Sequence, residues 1–323
     1  LKAADFLGSV NAANLVNAWT SATFTATSTA LTLTPSVIAH GSAVSATINV
    51  TSASGTPTGS VSINALASNG AVQAGVLNNG SYSVSLSNFP GGSYSVRAHY
   101  AGDGVYAASD SNPIDLTVTP EASTTRLQTL FYNFATGNAS RVSTASYGSL
   151  ILVRADVAGV SGQGIATGNV ALTDSGAPLD GGSFRLNSSG YTEDQTSLLA
   201  PGPHTIQAAY AGDSSFNPSQ SGASTITITK AATTTLLLSH PLSVSTGSSI
   251  QLVVQVLPQG GGFGLPPTGM VTVQAGILAL GSATLSQLSG GSATITVLAS
   301  QLAPGINQIN LIYSGDDNYV GSI

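Results

Sequence analysis

Apolar and polar residues alternate along most of this chain with the period of two that is typical of β-strands. Thr27–Thr34 alternates and ends before Pro35, and Val44–Val50 places four apolar side chains on one face. Tyr94–Tyr100 does the same, with its intervening polar side chains facing outward. Such segments recur about every 8–12 residues between Gly and Asn, so the pattern predicts an all-β chain of antiparallel sandwiches.

The N-terminal residues follow a different pattern. Ser9–Trp19 is rich in Ala, contains no Gly or Pro, and begins with a candidate N-cap serine. Leu15, Ala18 and Trp19 form a short apolar stripe at helical spacing. We therefore predict one short helix in a lead segment of residues 1–20, and the alternative is a frayed chain end.

Two motifs recur three times in the same order. Pro/Ala-Thr-Gly-x-Val occurs at 57–61, 166–170 and 267–271, and Tyr-x-Gly-Asp-x-x-Tyr/Phe at 100–106, 210–216 and 313–319. The glycine of the first and the aspartate of the second are 44, 45 and 47 residues apart (Gly59 to Asp103, Gly168 to Asp213, Gly269 to Asp316). A period near 100 residues indicates whole domains. We predict domains at 21–119, 120–229 and 230–323.

The threefold pattern resembles the bacterial Ig-like repeat family of large secreted and surface proteins. The two motifs carry the resemblance, together with the Pro-Gly entry to the penultimate strand at Tyr94, His204 and Asn307. The resemblance implies Ig-like sandwiches that serve as a spacer, stalk or adhesive module of a bacterial cell-surface or extracellular protein. The joints between domains are only a few residues long, so we expect the domains to lie end to end as a rod.

A second resemblance concerns the N-terminus. Leu7–Trp19 resembles the last turn and helix of a sedolisin-type serine-carboxyl peptidase, in members that carry Ig-like repeats after the catalytic domain. The calcium-ligating Asp expected six residues before Gly8 is Lys2 here, and a cation cannot ligate calcium. The family's Gly-Thr-Ser nucleophile motif has no counterpart in this chain. We therefore expect no catalytic residue and no cofactor, and the alternative function is an accessory region of such a peptidase that binds polysaccharide or protein.

Composition excludes several further classes of function and of site. Charged residues make up 6% of the chain, against a usual share of about 25%. With a net charge of −6 and seven Lys plus Arg, no basic stripe is available for nucleic acid. Cysteine is absent, which excludes disulfides and thiolate metal sites. We expect no membrane-spanning helix, because no run of 18 apolar residues occurs.

Leu1 is not followed by the charged and apolar regions of a signal peptide, so we interpret the chain as a mature or excised part of a larger protein.

One aspartate recurs in the second motif, at Asp103, Asp213 and Asp316. An Asx turn, in which the carboxylate accepts hydrogen bonds from its own loop, explains the recurrence. The alternative is calcium, which needs six to eight oxygen ligands. Asp316 with its neighbour Asp317 is the strongest calcium candidate, since that loop carries two carboxylates.

Other recurring side chains have structural interpretations. Tyr94 fits the tyrosine corner of Ig-like folds. His204 and Asn307 replace it in the later copies, so we expect the corner to be kept in the first copy only and His204 to be a structural substitute rather than a base. The aromatic residues that close the second motif are expected to plug the sandwich end rather than to stack on sugars: Tyr106, Phe216 and Tyr319.

The third copy is shorter than the others. Domains 1 and 2 continue 12 residues beyond the loop aromatic, to Val118 and Ile228, whereas domain 3 continues 4 residues beyond Tyr319. A final strand is therefore missing. Three inward apolar side chains would contribute about 5–9 kcal/mol, against a typical domain stability of about 5–15 kcal/mol. We expect an isolated third domain to be marginal or unfolded.

Two explanations remain open for this shortfall. Either the sequence stops before the natural end of the domain, or another molecule supplies the strand by β-augmentation. The β-prone segment Trp19–Thr27, which lies outside the repeats, is the candidate donor and would build an open filament. The candidate assembly residues are Trp19, Phe24, Tyr313 and Tyr319. The expected partners are further copies of the chain or another cell-surface protein.

Overall fold

The computed structural model describes residues 23–65, 71–133, 136–241 and 243–323. These residues form 25 β-strands and two short 3-10 helices, Gln287–Ser289 and Ala299–Gln301. The prediction of an all-β chain is confirmed. The helix predicted within residues 9–19 lies outside the described residues.

The chain forms two compact units. The first contains the described residues up to Ser123 together with the loops Gly159–Gly164 and Asp213–Asn217. The second contains Thr124–Ala158, Ile165–Gly212 and Pro218–Ile323.

The first unit contains nine strands: β1 (Thr27–Thr34), β2 (Val37–Ala39), β3 (Val44–Ser52), β4 (Ser60–Ala65), β5 (Ala71–Val76), β6 (Ser81–Leu86), β7 (Gly92–Tyr100), β8 (Ser109–Asp110) and β9 (Ile114–Thr119). One sheet has the order β1-β3-β6, and the other has the order β2-β9-β7-β4-β5, with β8 paired to β7. Their inward rows form one buried core, in which Ile48, Ile63 and Leu116 are fully buried.

The first strand ends where the sequence predicts. Pro35 has no backbone N–H, so β1 cannot continue its pairing with β3 beyond Thr34. The chain then crosses to the other sheet, where β2 pairs with β9 in the parallel direction. This parallel pair departs from the predicted antiparallel sheets, because alternation within a strand gives no information about the direction of its partner.

The second repeat has the same plan within the second unit, apart from a first strand that begins at Ser123. Its strands are β10 (Ser123–Asn133), β11 (Asn138–Arg141), β12 (Thr144–Ser146), β13 (Ile151–Gly159), β14 (Asn169–Asp174), β15 (Ala177–Arg185), β16 (Tyr191–Thr196), β17 (Gly202–Tyr210), β18 (Ser219–Gln220) and β19 (Ser224–Thr229). The sheets have the orders β11-β10-β13-β16 and β12-β19-β17-β14-β15, with β18 paired to β17. Again one pair, β12 with β19, is parallel.

The third repeat has fewer strands: β20 (Thr233–Ser239), β21 (Ser249–Pro258), β22 (Gly269–Ala275), β23 (Leu278–Leu285), β24 (Ser292–Leu298) and β25 (Asn310–Tyr313). They form the sheets β20-β21-β24 and β23-β22-β25. Within residues 243–323 no strand follows β25, and only an isolated bridge joins Tyr313 to Ser322. The prediction that the third sandwich lacks its last strand is therefore confirmed for this part of the chain.

Candidate functional site

The two recurring motifs contact each other. The Asp103 Oδ2 atom accepts hydrogen bonds from the Thr58 backbone N–H at 3.2 Å and from its hydroxyl at 2.6 Å. Its Oδ1 atom accepts from the N–H groups of Val105 and Tyr106 at 3.0 and 2.9 Å. The pKa of Asp103 is consequently lowered to about 2, first by the Thr58 side chain. The near-constant interval between the motifs was the signal of this contact, which the sequence analysis missed.

The third repeat has the same arrangement around Asp316. Oδ2 accepts from the Thr268 N–H at 2.7 Å and from its hydroxyl at 2.8 Å, and Oδ1 accepts from the N–H groups of Asn318 and Tyr319, both at 2.8 Å. Burial raises the pKa of Asp316, but these hydrogen bonds outweigh it and the net pKa is lowered. These four hydrogen bonds occupy the lone pairs of the Asp316 carboxylate, with which it would otherwise bind calcium.

The turn interpretation therefore explains Asp316 better than the calcium interpretation, and Asp317 beside it is exposed. Within the described ranges, no three His, Asp or Glu side chains are grouped so that they could hold a metal ion.

The corner residues of the three repeats make the same bond. The Tyr94 hydroxyl donates to the Pro90 carbonyl at 2.7 Å, His204 Nε2 to the Ala200 carbonyl at 2.6 Å, and Asn307 Nδ2 to the Ala303 carbonyl at 2.8 Å. The prediction that the corner is kept in one copy only was wrong. The bond needs only a donor at the tip of the side chain, and imidazole and amide groups supply one.

His204 has a second acceptor. Its Nδ1 atom lies 2.6 Å from Asp174 Oδ2. Because both ring nitrogens face acceptors, the charged imidazolium is favoured. Burial lowers the pKa of His204, but the bonds to the Ala200 carbonyl and to Asp174 outweigh it, and the net pKa is raised. This environment supports the structural role expected for His204.

The loop aromatics are plugs, as predicted. Phe216 and Tyr319 are each only 2% exposed. The half-buried Tyr106 donates its hydroxyl proton to the Ser54 carbonyl at 2.8 Å. The faces of Phe216 and Tyr319 are covered by protein and are not available to stack on a sugar.

A polar cluster of the buried His40 and Glu121 with the exposed Ser161 lies in the first unit. His40 Nδ1 is 2.8 Å from Glu121 Oε1, to which the Ser161 hydroxyl also donates at 2.7 Å, and the Ser161 N–H donates to Oε2 at 2.9 Å. A serine nucleophile requires a hydroxyl bonded to its histidine base, whereas this hydroxyl donates to the carboxylate. Burial raises the pKa of Glu121, but the bonds from Ser161 and His40 outweigh it and lower the pKa. Nothing in the sequence around Glu121 distinguishes this cluster.

The third repeat contains a groove of about 700 Å³, which we call the third-repeat groove. Its lining includes Ser243, Val244 and Ser245 from the chain before β21 and Gly305, Asn307 and Ile309 from the chain before β25. The apolar lining is provided by Leu237, Ile250, Leu252, Val273, Leu280 and Val297. The groove is a concave, largely apolar site that is large enough for a ligand of several residues.

Of the four predicted assembly residues, the three that the structure describes do not line the groove. Tyr313 and Tyr319 are each 2% exposed and do not line the groove. Trp19 lies outside the described residues, and Phe24 is 55% exposed. Tyr313 and Tyr319 are therefore core residues and do not form an assembly surface. They were predicted from their recurrence at the same spacing in each repeat, and that recurrence marks positions of the core.

The predicted donor segment Trp19–Thr27 is also shorter than expected. The Thr25 N–H donates to the Val105 carbonyl at 2.9 Å, and the Thr25 carbonyl accepts from Ala107 at 2.9 Å. Thr27 pairs with Ser52 in β1. Residues 25–27 therefore belong to the first repeat, and only Trp19–Phe24 remains as the donor predicted from sequence.

Among the described residues, no helix has the length and hydropathy needed to cross a membrane. Three segments of the chain, 31–119, 138–229 and 237–323, match the family described as bacterial Ig-like domain (group 3). A sequence comparison with curated proteins gives no significant match. Leu7–Trp19 precedes the matched ranges, so its resemblance to a peptidase stays a prediction.

Similar solved structures include invasin, a bacterial integrin-binding protein, with a TM-score of 0.43, 16% identity, and coverage of 88% of this chain and 56% of that chain. The Escherichia coli adhesin FdeC has a TM-score of 0.31 and 14% identity, covering 91% of this chain and 95% of its own. The fibronectin(III)-like modules of Clostridium thermocellum CbhA have a TM-score of 0.24 and 14% identity, covering 62% and 93%. Similarities of this extent carry no argument about what the chain binds.

Proposed function

Because the chain belongs to the bacterial Ig-like domain (group 3) family, we propose that it is a structural and adhesive region at the cell surface or outside the cell. The observation that supports this proposal is that the recurring polar side chains form hydrogen bonds within their own repeats. Asp103 and Asp316 bind their own loops, and Tyr94, His204 and Asn307 bind their own corners. These side chains stabilise a repeated module rather than act on a substrate.

The location can be tested by labelling cells. An epitope tag inserted in the exposed turn at Ser175–Gly176, between β14 and β15, would leave the strands of the second repeat intact. We expect an antibody to label intact cells of the producing bacterium as strongly as permeabilised cells. The control is the same tag on a cytoplasmic protein. Label that appears only after permeabilisation would contradict an extracellular role.

Strand donation between molecules is the finer part of the proposal. The third-repeat groove lies in a sandwich without a strand after β25 in residues 243–323, and β-augmentation fills such a site with a segment from outside. The chain has only seven Lys plus Arg, so few charges protect its strand edges from pairing. Trp19–Phe24 is the donor that the sequence suggests.

Sedimentation velocity tests this assembly. Head-to-tail strand donation predicts species larger than the monomer that persist when the protein is diluted, because bound strands dissociate slowly. A variant with Ile309→Pro, which removes a backbone donor at the groove edge, should shift the distribution toward monomer. Monomer alone at every concentration would contradict assembly while leaving the surface location intact.

A further inference from the structure

The second repeat contains a pocket of about 250 Å³ where the chain passes from β11 to β12. We call it the crossover pocket, and seven residues line it: Leu127, Gln128, Thr129, Arg141, Val142, Ser143 and Ser224. We propose that the crossover pocket binds a sugar unit that carries a carboxylate, as a uronic acid or a sialic acid does. This inference rests on the adhesive role proposed above and names a class of ligand for it.

The pocket belongs to an insertion that the second repeat alone contains. A threonine whose hydroxyl lies 2.7 Å from a serine hydroxyl, and a later turn glycine with positive φ, mark equivalent positions in the three repeats: Thr29 and Gly41, Thr125 and Gly148, Thr235 and Gly247. The threonine and the glycine are 12, 23 and 12 residues apart. The longer interval accommodates β11, which provides Arg141 to the pocket. Segments added to a shared framework are typical places for a specific function.

The insertion is accompanied by a change of side chains in the wall of the pocket. Thr129, which lies four residues after Thr125, takes the place of Leu33 in the first repeat. Ser224, the first residue of β19, takes the place of Ile114, the first residue of β9. Leu33 is buried in the first core and Ile114 packs against that core. The second repeat therefore has two hydroxyl groups where the first repeat has two aliphatic side chains.

The two hydroxyl groups are available to a ligand. Thr129 is buried, and its Oγ1 atom lies 2.9 Å from Ser224 Oγ. A hydrogen bond between two hydroxyls uses one of their two protons, so the other proton can be donated to a ligand. Buried hydroxyl groups cost free energy unless they are hydrogen-bonded, and aliphatic side chains at these positions avoid that cost. The hydroxyl groups therefore serve binding rather than the core.

Arg141 gives the pocket its charge. It is exposed on β11, and among the described residues no carboxylate forms an ion pair with it. The other six lining residues carry no charge. A guanidinium group binds a carboxylate through two parallel hydrogen bonds. One cation without an ionic partner therefore selects a ligand with one carboxylate.

The size and the polar lining favour a sugar over an acidic peptide. A volume of about 250 Å³ is below the roughly 300–1,000 Å³ of pockets for drug-sized ligands, so the pocket holds one small unit. Besides Arg141, the lining offers the Gln128 amide and the hydroxyls of Ser143 and Ser224. A uronic or sialic acid presents a carboxylate and several hydroxyl groups on one ring, whereas a glutamate side chain presents a carboxylate alone.

Ligand-observed NMR with the whole chain tests the proposal, with D-glucuronate and N-acetylneuraminate as separate probes. We expect saturable binding of at least one acid, and binding of only one identifies the class of sugar. The methyl esters of the two acids, which lack the charge, should bind at least tenfold more weakly. Equal binding of acid and ester, or binding of neither acid, would overturn the inference. N-acetylglutamate that binds as tightly as the sugars would overturn the assignment to a sugar.

Matched charge variants locate the site. Arg141→Gln should weaken binding of the acid sugar at least tenfold. Arg126→Gln is the control, because Arg126 is an exposed arginine of β10 that does not line the pocket, and it should leave binding unchanged. Equal losses in the two variants would show general attraction by positive charge and would overturn the proposed site.

The hydroxyl pair has a test of its own. The double variant Thr129→Leu, Ser224→Ile restores the aliphatic pair of the first repeat. It should weaken binding at least tenfold without lowering the temperature of thermal unfolding, and unchanged binding would overturn the role of the hydroxyls. If this variant does not fold, the Arg141→Gln comparison still decides. None of these outcomes bears on the surface location, which the epitope labelling tests separately.

Discussion

At the residue scale, the polar side chains that recur in this chain serve its own turns. Asp103 accepts four hydrogen bonds within one loop and from Thr58, and Asp316 repeats the arrangement with Thr268. A chain with 6% charged residues has few ion pairs available, so charge-assisted bonds to backbone N–H groups take their place. The titration of individual carboxyl groups should therefore be visible in the stability of the fold.

Asp103 should stabilise the first unit at neutral pH. Its folded pKa is about 2, below the ordinary 3.8, so its contribution is present above pH 4 and is lost as the pH falls toward 2. We expect Asp103→Asn to lower the free energy of unfolding at pH 6 and to match the wild type near pH 2. Urea denaturation across this range measures the difference. The control is Asp115→Asn at an exposed carboxyl, and an unchanged difference at all pH values would contradict the prediction.

Asp194, in contrast to Asp103, should destabilise the fold at neutral pH. Burial, followed by the neighbouring carboxyl group of Asp180, raises its pKa to about 6. Its contribution is thus present below pH 4 and is lost as the pH rises through 6. We expect Asp194→Asn to be more stable than the wild type at pH 7 by about 1 kcal/mol after solvent screening. The advantage should vanish near pH 4, and an advantage that is independent of pH would argue against a titrating pair.

His204 provides a test of the corner. Its raised pKa means that the charged form stabilises the fold below pH 6.5 and that this stability is lost as the pH rises through the folded pKa. His204→Asn should restore the corner bond as Asn307 does, whereas His204→Leu should cost about 1 kcal/mol more. Chemical denaturation at pH 6 measures both. The pH dependence should be absent from both variants, and its persistence would assign it to another group.

At the scale of the elements, edge strands distinguish the third repeat from the second. β17 runs nine residues between β14 and β19, whereas β25 runs four beside β22 alone, apart from the bridge to Ser322. The length of a strand depends on its pairing, because a backbone without a neighbouring strand forms its hydrogen bonds with water and is not held in the extended conformation. Within the described residues, 305–309 pairs with no strand, and only Asn310–Tyr313 forms a strand, beside β22.

Hydrogen exchange should report this difference directly. Amides of β7 and β17 lie inside sheets with a partner on each side, whereas β25 is paired with β22 on one side. We expect amides of β25 to exchange at least tenfold faster than those of β7 and β17 under the same conditions. The equivalent inner strands β4, β14 and β22 are the internal controls. Equal protection of β25 and β17 would show that the third repeat is closed without a further strand.

At the scale of the whole molecule, the three repeats share one plan but differ in the number of strands that the structure describes. Each has a core position that follows the first motif and is fully buried, at Ile63, Leu172 and Val273. In the third repeat this residue, Val273, lines the third-repeat groove. A chain of several domains need not unfold in one step, and the module with the least burial should unfold first.

Calorimetry of the whole chain tests this order. We expect more than one transition, with the lowest belonging to the third repeat. Val273→Ala, which costs about 2 kcal/mol, should lower that transition, and Val96→Ala in β7, also fully buried, should lower a different one. A shift of the same transition by both variants would show that the repeats unfold together.

Sequence alone determined the all-β class, most strand positions and the threefold repeat, because alternation and spacing are local properties of the chain. It did not determine which partners meet across the fold. The parallel pairing of β2 with β9, the contact of Asp103 with Thr58, and the cluster of His40, Glu121 and Ser161 all join distant segments. Burial of Tyr313 and Tyr319 and the position of the groove likewise depend on how two sheets face each other. Only packing in three dimensions decides such contacts.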